Sequence, residues 1–93
     1  MFAVFVEVND DGTQMDAARK ELSEKAAPGA QGMGAIAAYW LAAQNGRGVA
    51  VIVFQTEDEA KALASLIKVG EPDLFVPGVT FRTVEIREVL AHL

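Results

Sequence analysis

The sequence predicts an α+β domain of element order β-α-β-β-α-β, with one four-stranded antiparallel sheet and two helices on one of its faces. Three observations predict it. "FAVFVEV", residues 2–8, is rich in Val and Phe and alternates as a strand does. Asn45-Gly46 stands between two apolar runs, the strongest short hairpin signal. Two segments opening at Thr13 and Thr56 carry apolar residues at helical spacing behind a capping residue.

The elements follow in order. "NDDG" breaks the first strand. Thr13 with Asp16 forms a weaker relative of the capping box, and Met15, Ala18, Leu22 and Ala26 then make one helical stripe. Asp16–Lys20 and Glu21–Lys25 are i,i+4 pairs in the favourable orientation on a solvated face. Pro28-Gly29 is expected to end that helix. Residues 34–44 and 49–55 read as strands around the Asn45-Gly46 turn. Thr56 with Glu59 is a full capping box. Ala60, Leu63, Ala64 and Ile67 form the second stripe, and Gly70 is expected to close it. "EPDLFVPG" reads as a loop, whose residues 73–76 are expected to fold back onto the domain's own core. Residues 79–90 read as the last strand. This order is the split βαβ, or ferredoxin-like, pattern.

Ninety-three residues make a single domain, 1–93, with a modest core. Yet 52% of the residues are hydrophobic, and that excess needs a place to go. An unbroken two-residue turn would pair Gln44 with Arg47, Ala42 with Val49, Trp40 with Val51 and Ala38 with Val53. Leu41 would then meet Ala50, Tyr39 would meet Ile52, and Ala37 would meet Phe54 on the other face. Both faces come out apolar, and Trp40 and Tyr39 point to opposite sides. The two helices cover one face only. The other spans about 350 Å² of sheet, a size that usually marks an interface. A homodimer packed sheet on sheet is the expected assembly.

Composition narrows the partners. The net charge is -5 and the basic residues are scattered, so nucleic acid is not an expected partner. No charge occurs from Ala26 to Gly46, but Pro28, the glycines and Gln31, Gln44 and Asn45 read as turn and strand, not as a membrane span. "MFAVFVEVND" does not read as a signal peptide, and the absence of cysteine fits a cytoplasmic location.

"FAVFVEV", "AARKEL", "AYWLAAQNGRGVAVIVFQTEDEA" and "PGVTFRTVEIREVLAH" together resemble the dimeric α+β barrel superfamily, especially short actinobacterial proteins of unassigned function. The resemblance implies two sheets forming a barrel across a dimer, with clefts between sheet and helices. It also implies a range of activities, including cofactor-free monooxygenases of antibiotic biosynthesis and haem-degrading enzymes. The haem branch wants a histidine on or near the second helix, which has none. Other families of this topology want a CxxC, aromatic strand motifs on a basic surface, or a phosphate-cradling loop where this chain has the acidic "NDDG". An amino-acid-sensing regulatory domain shares the topology.

No nucleophile–base pair, phosphate loop, dinucleotide fingerprint or metal-ligand cluster is legible, and no cofactor or metal is expected. "NDD" and "EDE" sit at helix starts, where acidic residues offset the helix dipole. His92, the only histidine, reads as part of a fraying tail. Glu7 and Glu85, with Arg82 and Arg87 near them, read as cross-strand ion pairs, with Glu7 as a candidate buried carboxylate. Trp40, Tyr39, Phe54 and Phe5 are candidate pocket walls, because alanines such as Ala38, Ala42 and Ala43 beside them leave space. The candidate ligand-binding residues are therefore Glu7, Tyr39, Trp40, Phe54 and Arg82. The expected function is a homodimeric domain that binds a small apolar or aromatic molecule. The alternative is a cofactor-free monooxygenase acting on an electron-rich aromatic substrate, which needs a pocket with a polar group inside; Glu7, Tyr39, Trp40 and Arg82 are its candidates.

Overall fold

The first strand, β1 (Phe2–Asn9), is central in a four-stranded antiparallel sheet of order β2-β3-β1-β4. The computed structural model describes residues 1–93. The other strands are β2 (Ala37–Gln44), β3 (Arg47–Phe54) and β4 (Thr80–Glu88). The long first helix runs without a break through α1 (Met15–Glu21), a π-helical stretch (Leu22–Ala26) and α2 (Ala27–Gly32); α3 (Glu57–Ala64) is the second. This is the ferredoxin-like α+β fold the sequence predicts, with strand ends moved by a few residues.

Helix ends differ more. Pro28-Gly29 does not stop the first helix. A proline ring conflicts with the carbonyl four residues back in a regular α-helix. Here the preceding turn is wider, with the Ala27 N–H donating to the Leu22 carbonyl five residues back, and Pro28 falls in the first turn of α2. The helix ends instead at Gly34. The Ala35 N–H donates to the Ala30 carbonyl and the Gly34 N–H to the Gln31 carbonyl, both at 3.0 Å, which is a Schellman cap. Gly34 has φ 101°, and a Cβ there would collide with the Glu59 carboxylate. At the other end Thr13 caps nothing: Gln14 is the N-cap, with no side-chain bond, and the Thr13 hydroxyl donates to Asp11 at 2.7 Å. Asp16 pairs with Arg19 in place of Lys20, while Glu21–Lys25 forms at 2.7 Å.

The Thr56–Glu59 capping box is present in both directions. Yet α3 stops at Ala64, well before Gly70; Leu66 and Ile67 continue it as tight turns, their N–H groups donating three residues back. Residues 70–73 then pair with 79–81: the Phe81 N–H donates to Glu71 and the Gly70 N–H to Phe81.

The turn at Asn45-Gly46 has positive φ at both residues, 55° and 77°, as a type I′ turn requires. Gln44 faces Arg47 as expected, but the register then slips. Ala42 and Ala43 both stand against Gly48, a bulge that pairs Leu41 with Val49, Trp40 with Ala50 and Tyr39 with Val51. The unbroken pairing from the sequence is corrected by one residue beyond the bulge. A second bulge, in β4, leaves Arg82 as the extra residue between the Val8–Phe81 and Glu7–Thr83 pairs.

The core lies under the helices. Val4, Val6, Ala50, Ile52, Phe54 and Phe81 from the sheet pack with Ala30 and Ala60. A smaller cluster joins Ala18 of α1 to Val76 and Val79 of the 70–79 loop. The opposite sheet face is open: Tyr39 and Leu41 are exposed beside Val49, Val51, Val53 and Phe5, which are half-buried.

Candidate ligand-binding cavity

Between the first helix and the sheet lies an apolar cavity of about 890 Å³. Its floor is Val6, Val8, Ala50 and Ile52 of the two central strands, with Trp40 at one side. Met15, Ala18, Leu22, Ala26 and Ala30 form the roof, and the π-helical turn lies within that roof. Leu63, Ile67, Phe75 and Phe81 close the side under α3 and the loop. The space exists because small side chains stand opposite one another, Ala18, Ala26 and Ala30 in the roof and Ala50 in the floor. Such residues satisfy the helical and strand patterns but do not fill the gap between layers about 10 Å apart.

The cavity is unequal from end to end. Its polar residues are Asp10, Arg19, Ser23 and Asp73. Asp10 follows β1, Arg19 lies in α1, and Asp73 stands in the loop that pairs with the start of β4, so all three belong to the end near the hairpin turn. Each is already engaged. Asp10 accepts from the Gly12 N–H at 2.9 Å. Asp73 accepts from the Phe75 and Val76 N–H groups at 2.7 and 3.3 Å, a turn that buries Val76, half-buries Phe75 and leaves Leu74 exposed, so only part of 73–76 packs on the core as expected. Arg19 pairs with Asp16 at 3.1 Å, and Ser23 donates to the Arg19 carbonyl at 2.6 Å. Asp11, beside this end, is held below the usual carboxylate range by bonds from the Thr13 hydroxyl and N–H. No polar or charged residue is buried, and no buried polar side-chain atom lacks a partner.

Of the five residues singled out from sequence, the structure puts one on the cavity wall. Trp40 lines it, half-buried. Phe54 is wholly buried in the core beyond the cavity. Tyr39 and Glu7 lie on the outer sheet face. Glu7 pairs with Arg47 across β1–β3 at 3.2 Å, while Glu85 is held by Arg87 of its own strand at 2.6 Å. Arg82 is exposed at the β4 bulge, and His92 is exposed in the tail. The structure thus does not gather these five. The sequence does not reveal the roof: Met15 and Leu22 read there as one helical stripe, and only the alanines around Trp40 signal empty space. No group of His, Cys, Asp or Glu is arranged to hold a metal ion. No helix is long and apolar enough to cross a membrane.

Comparison with protein-family models, with curated proteins and with solved structures found no match for this chain.

Proposed function

We propose that this protein is a homodimeric α+β barrel domain that binds a small apolar or aromatic molecule between the first helix and the sheet. The cavity carries the reading. Ligand pockets of drug-sized molecules occupy about 300–1,000 Å³ with mostly apolar walls, and this one, at about 890 Å³, falls within that range. The dimer rests on the outer face, where Tyr39, Leu41, Val49, Val51 and Val53 form an uncovered apolar patch on β2 and β3. Resemblance to the dimeric α+β barrel superfamily points the same way.

The test is titration with N-phenyl-1-naphthylamine, a neutral aromatic probe, read by energy transfer from Trp40, the only tryptophan. One saturable site per subunit supports the reading; no saturable transfer sinks it. Native mass spectrometry gives the assembly, and a monomer at micromolar concentration would remove the dimer.

A second reading, the cofactor-free monooxygenase, draws on the aromatic wall of Trp40, Phe75 and Phe81. Of its candidate polar groups, Glu7, Tyr39 and Arg82 lie outside the wall. Oxygen uptake with electron-rich phenols separates it from simple binding.

A further inference from the structure

We infer that the cavity selects an elongated apolar molecule whose polar end is uncharged or basic, and discriminates against the carboxylate of the same chain. The inference rests on the binding reading above and specifies its ligand. Length comes from the roof. The lining extends from Met15 to Ala30 along the first helix, about 22 Å at 1.5 Å per residue. Orientation comes from the polar residues, because Asp10, Arg19 and Asp73 share one end while Ala30, Met33 and Ile52 line the other. A polar head finds charged partners only at the first of these; Ser23, between them, has its hydroxyl bonded to the Arg19 carbonyl.

Charge at that end decides the head. Its one cation, Arg19, makes an exposed pair with Asp16, and two carboxylates, Asp10 and Asp73, line the same end. Asp10 and Asp73 have no cation paired to them; each uses one oxygen on backbone N–H groups. The start of a helix ordinarily favours an anion. Here Asp10 and Asp11 precede that start and Asp16 sits in its first turn, so the positive end of the dipole is already met. The chain as a whole carries -5, which repels an approaching anion further. Deeper in, a carboxylate would find no charged or buried polar side chain to offset its desolvation. An alcohol or an amine meets none of these penalties, and both can donate to the aspartate oxygens.

The experiment uses 1-decanol, decylamine and decanoate, each below its aggregation limit, at pH 7.5 and low salt, read by Trp40 fluorescence. The readout is the ratio of the decanoate Kd to the decanol Kd, in the native protein and in Asp10→Asn/Asp73→Asn. Asparagine keeps the side-chain oxygen that both turns need, and the intrinsic difference in water affinity between the two ligands cancels in the comparison. The native ratio is expected to be at least ten. In the double variant it should fall at least three-fold, and 0.3 M salt should narrow the native ratio as well. Decylamine should bind at least as tightly as decanol and lose that binding in Ala50→Leu, which occupies the floor. Decanoate binding as tightly as decanol, or a ratio unmoved in the double variant, would overturn the inference and leave the cavity reading intact. Absence of any response to all three ligands would overturn both.

Discussion

Trp40 faces Ala50 across the β2–β3 pair, on the sheet face that looks toward the helices. A large ring beside a small side chain leaves space above the alanine, and that space is continuous with the cavity. The pairing depends on the bulge at Ala42 and Ala43, which sets which residue of β3 each ring of β2 meets.

Filling that space should separate binding from folding. Ala50→Leu adds three carbons to the cavity floor, where there is room for them. The expected outcome is loss of N-phenyl-1-naphthylamine binding with stability changed by less than about 1.5 kcal/mol in urea unfolding. Full retention of probe binding would show that the probe sits elsewhere.

Tyr39 and Trp40 should behave differently although they are adjacent. Tyr39→Ala removes the most exposed ring of the outer face and should raise the Kd of the proposed dimer at least ten-fold in sedimentation equilibrium. Trp40→Ala should cost the subunit about 2–3 kcal/mol, since the ring packs on the core cluster, and should leave the dimer Kd within a few-fold. If both variants weakened the dimer equally, the outer face would not be the seam.

The end of the first helix should be sensitive at Gly34 and insensitive at Pro28. Gly34→Ala forces a side chain into positive φ and against Glu59, the same carboxylate that completes the α3 cap. The expected cost is about 1–3 kcal/mol by chemical denaturation. Pro28→Ala should change stability by less than about 1 kcal/mol, because the π-helical turn already relieves the ring. Equal costs would mean that the proline, not the glycine cap, fixes the helix.

The Glu21–Lys25 pair predicts a small pH-dependent contribution. A hydrogen bond from Lys25 holds the Glu21 carboxyl below its ordinary 4.5, and the same bond raises Lys25 above 10.5. A lowered carboxyl stabilises the fold above its unfolded value and loses that effect as pH falls. A raised lysine stabilises below its unfolded value and loses it as pH rises. The stability difference between the native chain and Glu21→Gln should therefore be greatest between pH 4.5 and 10.5 and shrink on either side. Lys25 is exposed and Glu21 half-buried at the surface, so 0.5 M salt should remove much of it in thermal melts. A difference that grows in acid would contradict the pairing.

The sequence by itself determined the element order, the type I′ turn, the α3 cap and the opposite orientation of Tyr39 and Trp40. Each depends on local chemistry: alternation along a strand, positive φ at Asn45-Gly46, a hydroxyl three residues before a glutamate. Only the tertiary structure decided the register beyond Gln44, because a bulge is settled by how β2 seats against β3 and the helices, not by the turn. It also decided that the first helix passes Pro28, since a single widened turn absorbs the ring and lets the helix reach the better cap at Gly34. The cavity belongs to the same class. It is a mismatch between the spacing of two layers and the size of the alanines between them. No residue carries that mismatch alone, so Met15 and Leu22 read as ordinary core in the sequence and become a wall only where helix and sheet stand apart.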